Sequence, residues 1–441
     1  MTQSPTTSGT CIAEVYSLSH DGRGIATIEG KTTFISGAIT GEKVQCKITT
    51  RHSRYNEAEA LEILEPSTER VTPGCAHFGI CGGCSLQHLS ISAQVKLKQD
   101  TLLEQLKHFG KITPEVILPP LNTHPWGYRR KARLGVRYVI KKNKVLVGFR
   151  EKRHRYLADI ERCPVLHVNI GLYIKELSEI VQSLDQYQHI PQIEVAVGED
   201  ATALVFRHLE SLTAADQEKL IEFAKTHQFH IYLQPNPPIP LYKLWPADGN
   251  ERLTYTLPDH SIVMQFHPLD FTQINFEINQ LMVNHAIHLL NLRADDTVLD
   301  LFCGIGNFTL PIARQVKQIT GIEGSEIMVG RAKENAVRNN IGNANFYAAN
   351  LQPPTPRPQD NWLQKTYTKV LLDPPRTGAK ELMALLPMLK AEKIVYISCN
   401  PATLARDAGE LAKHYQLKQV GIMNMFPHTD HIEAIAVFER I

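Results

Sequence analysis

Leu299-Asp-Leu-Phe-Cys-Gly-Ile-Gly-Asn307 decides the fold of the 441-residue chain. Val298 to Phe302 is an apolar strand, and Cys303 to Asn307 is a turn whose glycines let backbone approach a ligand closely. Glu323 ends a second strand roughly 20 residues further on, where a carboxylate can accept both hydroxyls of a ribose. Working outward, strand signals fall at 297–302, 318–322, 344–348, 369–373, 394–398, 418–423 and 434–439, with helical stretches between most of them. Seven strands with helices on both faces describe an α/β, doubly wound parallel sheet, Rossmann-like, with its last strands antiparallel.

The third glycine of a dinucleotide fingerprint is missing, because Thr309 stands there. That argues against a pyrophosphate and for a cofactor without phosphates, S-adenosylmethionine. A tight structural turn is the plainer alternative. Asn350 and Asp373 end the next strand signals and would face the same crevice. Leu372-Asp-Pro-Pro-Arg376 resembles the Asp-Pro-Pro motif of enzymes that methylate amino groups, although two prolines also simply stiffen a loop.

Hydrophobic residues make up 43% of the chain, and no apolar run approaches the ~20 residues that span a bilayer. Met1 to Gly9 has neither a basic nor an apolar region of a signal peptide and reads as a disordered tail. A cytoplasmic location is the default expectation. Net charge is only +2, yet between Pro125 and Arg155 twelve Lys or Arg stand against one acid, Glu151. Such a block can hold phosphates, and its rings can stack on unpaired bases. Solvated charged faces are the bland reading.

Three of the eight cysteines crowd into Cys75-Ala-His-Phe-Gly-Ile-Cys81-Gly-Gly-Cys84, and Cys163 precedes Pro164. The clustering points to metal rather than disulfides, and four thiols fit tetrahedral zinc or a [4Fe–4S] cluster.

Residues 10–67 read as an all-β, OB-like barrel, with His20-Asp-Gly22 and Ile28-Glu-Gly-Lys31 as hairpin turns. Apolar spacing predicts a helix across 91–109. Hairpins are expected over 133–149 and 193–206, and a helix over 212–226. The expected units are a tail at 1–9, the barrel at 10–67, a mixed α/β cysteine-bearing unit at 70–262 and the cofactor-binding unit at 263–441. The 91–112 helix can pack elsewhere.

Cys399 ends an apolar strand in Val395-Tyr-Ile-Ser-Cys-Asn-Pro401, a poor place for packing and a good one for attack. A thiolate added to C6 of uracil makes C5 nucleophilic toward a methyl sulfonium, and the C5 proton must then leave. This needs an activated cysteine and a general base, and Cys399 and Glu433 suit these roles. An inert core cysteine is the alternative for Cys399. Cys303 is a rival nucleophile, more simply structural in its turn. His428 and His431 read as a polar loop lining a base pocket rather than a metal site with Glu433.

With Ser398-Cys-Asn-Pro401, Leu301-Phe-Cys-Gly-Ile-Gly-Asn307, Asp373-Pro-Pro-Arg376, His431-Ile-Glu433 and Phe271-Thr-Gln-Ile-Asn275, the chain resembles the RNA uracil-C5 methyltransferases over essentially its whole length. The resemblance implies Cys399 as nucleophile and Glu433 as base. It implies Gln273, Phe302, Asn307, Glu323, Asn350 and Asp373 as residues binding S-adenosylmethionine. It makes the N-terminal barrel a TRAM domain and Cys75, Cys81, Cys84 and Cys163 ligands of a [4Fe–4S] cluster, with zinc the lesser alternative. It favours the branch that acts at uracil 1939 of 23S rRNA. The target base must leave its stack to reach Cys399, so a flipped uridine in a loop or bulge is the expected substrate, and a monomer without protein partner or membrane is the expectation. The rivals are the same chemistry on tRNA or another rRNA site, an amino methyltransferase, and a non-catalytic RNA-binding assembly factor.

Overall fold

The computed structural model describes residues 10–237, 239–351 and 361–441. The expected tail at 1–9 and the proline-rich tract at 353–358 lie outside the described residues.

Six strands build the N-terminal unit: Thr10–Glu14, Ser17–Leu18, Gly24–Ile28, Lys31–Ser36, Lys43–Arg51 and Tyr55–Glu65. In the sheet they run first, fifth, sixth, fourth, third, second. The two edge strands, Thr10–Glu14 and Ser17–Leu18, are therefore neighbours in the chain, and the sheet curls so that Thr10–Glu14 comes against Gly24–Ile28. Ala13, Val15, Ala26, Ile35, Val44 and Ala58 fill the interior. The Ile28–Lys31 turn forms because Glu29 and Gly30 both take positive φ, 53° and 76°, the combination a two-residue hairpin favours.

The central sheet has six strands in the order Tyr242–Trp245, Phe229–Gln234, Thr202–Arg207, Gln192–Val197, Lys131–Val139, Lys144–Gly148. Helices Ile174–Ser183 and Ala214–His227 pack on it, with Leu177, Val181, Leu220 and Ala224 in its core.

All seven expected strands form in the C-terminal sheet, joined by an eighth that sequence patterning missed, Val116–Ile117. The order is Ala344–Ala348, Gln318–Glu323, Thr297–Leu301, Lys369–Leu372, Lys393–Ser398, Glu433–Arg440, Tyr415–Met423, Val116–Ile117. Only Glu433–Arg440 is reversed, pairing antiparallel with both neighbours. Tyr415–Met423 runs with the parallel strands, which corrects the expectation that the last strands are both antiparallel. Val116–Ile117 was missed because two exposed residues carry no periodicity.

Two apolar layers cover this sheet. One contains helix Phe276–Leu290 and the hairpin Leu253–Leu257 with Ile262–Phe266. A boundary at 262/263 would cut that hairpin in two. The other contains helix Pro401–Leu411 together with Leu102 and Leu106. Helix Ile91–Gln105, continued by a wider turn over Leu106–Gly110, thus packs on the C-terminal sheet. Gly110 permits the crossing, because a Cβ there would lie 2.7 Å from the Ala405 carbonyl oxygen.

Leu106 is fully buried, whereas Phe109 in the same turn is 66% exposed. Leu106→Ala is expected to destabilise the chain by about 2–5 kcal/mol, and Phe109→Ala by less than about 0.5 kcal/mol, as read by urea unfolding. Equal effects would show that the helix does not share the core of the C-terminal sheet.

Candidate active site

The register of the C-terminal sheet aligns the candidate residues along one edge. Leu301 pairs with Ile322 on one side and Leu372 on the other, so Phe302, Glu323 and Asp373 stand level at the carboxyl ends of three adjacent strands. Glu323 is itself level with Ala348, two residues before Asn350, which is exposed. Across the reversed strand, Ser398 pairs with Ala434, and one step further Cys399 falls opposite Glu433. Directly opposite residues of an antiparallel pair stand about 4.5–5.5 Å apart at Cα. The row therefore runs Asn350, Glu323, Phe302, Asp373, Cys399, Glu433.

The turn after Leu301 is tightly bound. Phe302 takes φ 66°, and Gly304 and Gly306 are also left-handed. The Glu323 carboxylate accepts from the Gly304 amide (3.2 Å) and the Ser325 amide (3.1 Å), which holds it against the glycine turn. Gln273 donates to Asp373 Oδ2 at 3.4 Å and so reaches the row from the segment before helix Phe276–Leu290. Asn307 is committed to the protein. Its Oδ1 accepts from Tyr255 Oη (2.9 Å) and Asn279 Nδ2 (3.0 Å), and its Nδ2 donates to Asn279 Oδ1 (2.8 Å). A ligand at Asn307 would meet its backbone, or its side chain after these bonds open.

Sequence reasoning missed Tyr255, Asn279 and Asp300. Asp300 is fully buried and accepts from Thr309 Oγ at 2.5 Å. Thr309, at the place of the third fingerprint glycine, thus ties the turn to the first strand. A lone Asp within an apolar strand was the available signal. Tyr255 and Asn279 offered none, since long-range pairing chose them.

The nucleophile candidate sits at a capped helix start. Ser398 Oγ accepts from the Asn400 amide (3.1 Å), and Asn400 Oδ1 caps helix Pro401–Leu411 by accepting from the Ala402 amide at 3.1 Å. Asn400 Nδ2 also donates to the Arg376 carbonyl at 3.0 Å. The Asp373-Pro-Pro-Arg376 loop is therefore clamped to the Cys399 turn. Arg376 Nη2 lies 3.0 Å from His431 Nδ1.

Electrostatically the site is a row of crowded acids. Burial pushes Asp373 up to about 7. Burial, then the Asp373 and Glu323 charges, push Asp300 to about 7 against the Thr309 hydrogen bond. Burial and then Asp373 hold Glu433 well above the usual carboxylate range. Burial, then Glu433 and Asp373, raise the Cys399 thiol to about 11, while Arg376 pulls it down. Such a site favours a cationic ligand, which would relieve the repulsion. Cys303 is enclosed, and its thiol is raised by burial and by Asp300 and Glu323; a Cβ on Gly321 would lie 2.9 Å from its sulfur. Its role is packing. His428 is also buried, its ring tilted by 32° against Trp126 with centroids 3.9 Å apart, and does not line an open pocket as expected. His431 is exposed.

Cys75, Cys81, Cys84 and Cys163 line one cavity of about 210 Å³, with Arg129, Arg162 and His431 among its walls. Burial, with smaller contributions from other thiols of the four, raises Cys84 to about 12 and Cys163 to about 11. Among the described residues, no three His, Cys, Asp or Glu side chains are gathered closely enough to hold a single metal ion.

The basic block divides. Tyr128 is buried, its hydroxyl donating to the Pro427 carbonyl at 3.0 Å, so it is not the stacking ring expected. Arg130 lies over the Phe276 ring at 4.6 Å, and Lys131 donates to the Pro268 and Asp270 carbonyls. Arg137, Lys141, Arg150, Arg153 and Arg155 are exposed, with Tyr156 54% exposed beside Arg155. Arg153 reaches Ser36 of the barrel. No helix among the described residues is long and apolar enough to cross a membrane.

Sheet, glycine turn and acid row together define a Rossmann-like methyltransferase of the S-adenosylmethionine-dependent class. The model of the tRNA (uracil-5-)-methyltransferase family matches residues 90–441, and that of the TRAM domain matches 12–61. The chain belongs to that uracil-C5 methyltransferase family. It is 50% identical over 430 residues to the 23S rRNA (uracil(1939)-C(5))-methyltransferase RlmD of Alcanivorax borkumensis, covering 97% of this chain and 96% of the relative. The protein of the same name from Hahella chejuensis is 50% identical over 440 residues, covering 99% and 98%. The Pyrococcus abyssi tRNA (uracil-54, C5)-methyltransferase, solved with S-adenosyl-L-homocysteine, shares the fold with a TM-score of 0.72 at 23% identity, over 98% of this chain and 100% of its own.

The acid row makes stability depend on pH. Asp373 keeps its proton to about 7 in the fold but only to 3.8 ordinarily. Between those values the native state binds the more protons, so this group's contribution falls as pH rises. Asp373→Asn is expected to match wild type at pH 4 and exceed it at pH 8 by on the order of 1 kcal/mol, measured by urea unfolding. A variant less stable than wild type at pH 8 would contradict the placement.

Proposed function

We propose that the protein methylates C5 of uracil 1939 in 23S rRNA, giving 5-methyluridine, as a cytoplasmic monomer. The observation that carries this is the reversed strand that sets Glu433 opposite Cys399 beside a cation-favouring acid row. The two relatives at 50% identity over nearly the whole chain support the substrate.

Gln273, Phe302, Asn307, Glu323, Asn350 and Asp373 hold S-adenosylmethionine. When bound, it supplies an electrophilic methyl group on a sulfonium. Burial and then Glu433 and Asp373 keep the Cys399 thiol protonated, and a positive charge held among these acids would offset their part. The Cys399 thiolate adds to C6 of a flipped uracil, and C5 gains the electron density to take the methyl group. Glu433 then removes the C5 proton, the ring double bond re-forms and the thiolate leaves. In its ionised form, a carboxylate whose pKa burial has raised is the stronger base for that proton. The exposed arginines, Tyr156 and the barrel face the RNA around the flipped base.

With a 23S rRNA fragment carrying 5-fluorouridine, wild type and S-adenosylmethionine are expected to give a denaturant-stable RNA adduct that Cys399→Ala abolishes. Fluorine at C5 cannot leave as a proton, so the intermediate is trapped. Methyl transfer to ordinary RNA that survives Cys399→Ala would overturn the mechanism. An adduct on tRNA alone would overturn the substrate.

Cys75, Cys81, Cys84 and Cys163 hold a [4Fe–4S] cluster. The donor set is four thiols around one cavity, a set that both zinc and a four-iron cluster accept, and the resemblance to the RNA uracil-C5 methyltransferases favours the cluster. The cluster supplies a cross-link between segment 75–84 and Cys163, and uracil methylation itself moves no electron. Anaerobically purified protein is expected to carry about four irons and four sulfides per chain, lost in Cys81→Ser. One zinc per chain without iron would refute the assignment, and a cluster-free Cys81→Ser with full activity would refute a positioning role for it.

A further inference from the structure

The nine residues between Met423 and Glu433, at 424–432, connect strand Tyr415–Met423 to the proposed general base. They are held from the other end of the chain. Lys98, only 2% exposed on helix Ile91–Gln105, donates to Asn424 Oδ1 and to the Phe426 carbonyl, both at 2.9 Å. Gln94, one turn earlier and fully buried, accepts from the His428 amide at 2.8 Å. Ser85 closes a reciprocal pair with Asp430: its Oγ donates to Oδ1 and accepts from the Asp430 amide, both at 3.0 Å. The Ser85 amide donates to the His428 carbonyl at 2.9 Å. Tyr128 reaches the Pro427 carbonyl.

These contacts are not economical packing. A buried ammonium is costly unless its donors are satisfied, and an apolar side chain would fill the same space at lower cost. Asn424 Nδ2 and His428 Nε2 are left buried without a partner, a further cost, and what the bonds that are made provide is one geometry. Most of these bonds grip main-chain atoms, so they fix the path of the segment rather than any side chain on it. The segment ends at His431, which meets Arg376, and at Glu433, which faces Cys399.

We propose that Lys98 and Ser85 are positioning residues for Glu433, strapping segment 424–431 so that the carboxylate stays opposite Cys399 while the C5 proton is removed. The inference rests on the uracil-C5 reaction proposed above. It singles out one step: addition and methyl transfer need Cys399 and the cofactor, and only elimination needs the base.

The test uses the full-length protein, S-adenosylmethionine and a 23S rRNA fragment with ordinary uridine. Lys98→Met and Ser85→Ala are each expected to lower kcat by about tenfold or more, with KM for both substrates within about twofold. Each is expected to accumulate a methylated, denaturant-stable Cys399–RNA adduct that wild type clears. Glu433→Gln is the control: if it accumulates no adduct, the assignment of the base has failed. If Glu433→Gln accumulates it and the strap variants do not, the strap is overturned. A fall in kcat without adduct is also a negative result, since general loosening of the fold would do the same. Should Lys98→Met fail to fold, Ser85→Ala and Asp430→Asn decide the matter by the same readout.

Discussion

One reversed strand governs the active site. In a wholly parallel sheet every strand enters at the far edge and delivers only its last residue to the ligand crevice. Glu433–Arg440 runs the other way, so its first residue lies at that edge. A carboxylate is thereby brought level with a thiol contributed by the end of the neighbouring strand. The two groups need no loop to find each other, since the ladder register sets their separation. Everything else at the site is arranged around this pairing, including the cap by Asn400 and the Asp373-Pro-Pro-Arg376 loop fastened to it.

The acids at the strand ends are placed against their own interest. Asp300, Asp373, Glu323 and Glu433 are close enough to raise one another or the thiols beside them. A fold that accepts such crowding is poised for a positive charge. Arg376 answers only part of it, acting on Cys399 from the loop above. A single cationic ligand would therefore relieve the acids and ease thiolate formation at Cys399 together.

Much of this was legible in the sequence because it is written locally. Apolar runs closed by Gly304 and Gly306, by Asp373-Pro-Pro and by Cys399-Asn-Pro announce strand ends, and strand ends are where this architecture places chemistry. The N-terminal barrel was legible because Glu29-Gly30 and its neighbouring turns mark short strands. What stayed hidden depends on contacts distant in sequence. Lys98 reads as one more charge on an amphipathic helix until its acceptors 326 and 328 residues away are known. Tyr128 reads as an aromatic in a basic run until Pro427 covers it. The bonds from Asn307 to Tyr255 and Asn279 are equally invisible in the sequence. Reversal of one final strand rather than two is likewise a matter of pairing, which hydrophobic pattern does not encode.

The packing of Leu102 and Leu106 beneath helix Pro401–Leu411 has a consequence for how the chain is made. The C-terminal sheet is assembled from two stretches, one early and one late, with the whole central sheet lying between them in the sequence. On the ribosome the early helix emerges some 300 residues before its partner. Its apolar face has no partner on the C-terminal sheet until the late strands are made, while the residues of the central sheet emerge in between. The catalytic unit is thus the last part of the chain to be completed, although one of its helices is among the first to be synthesised.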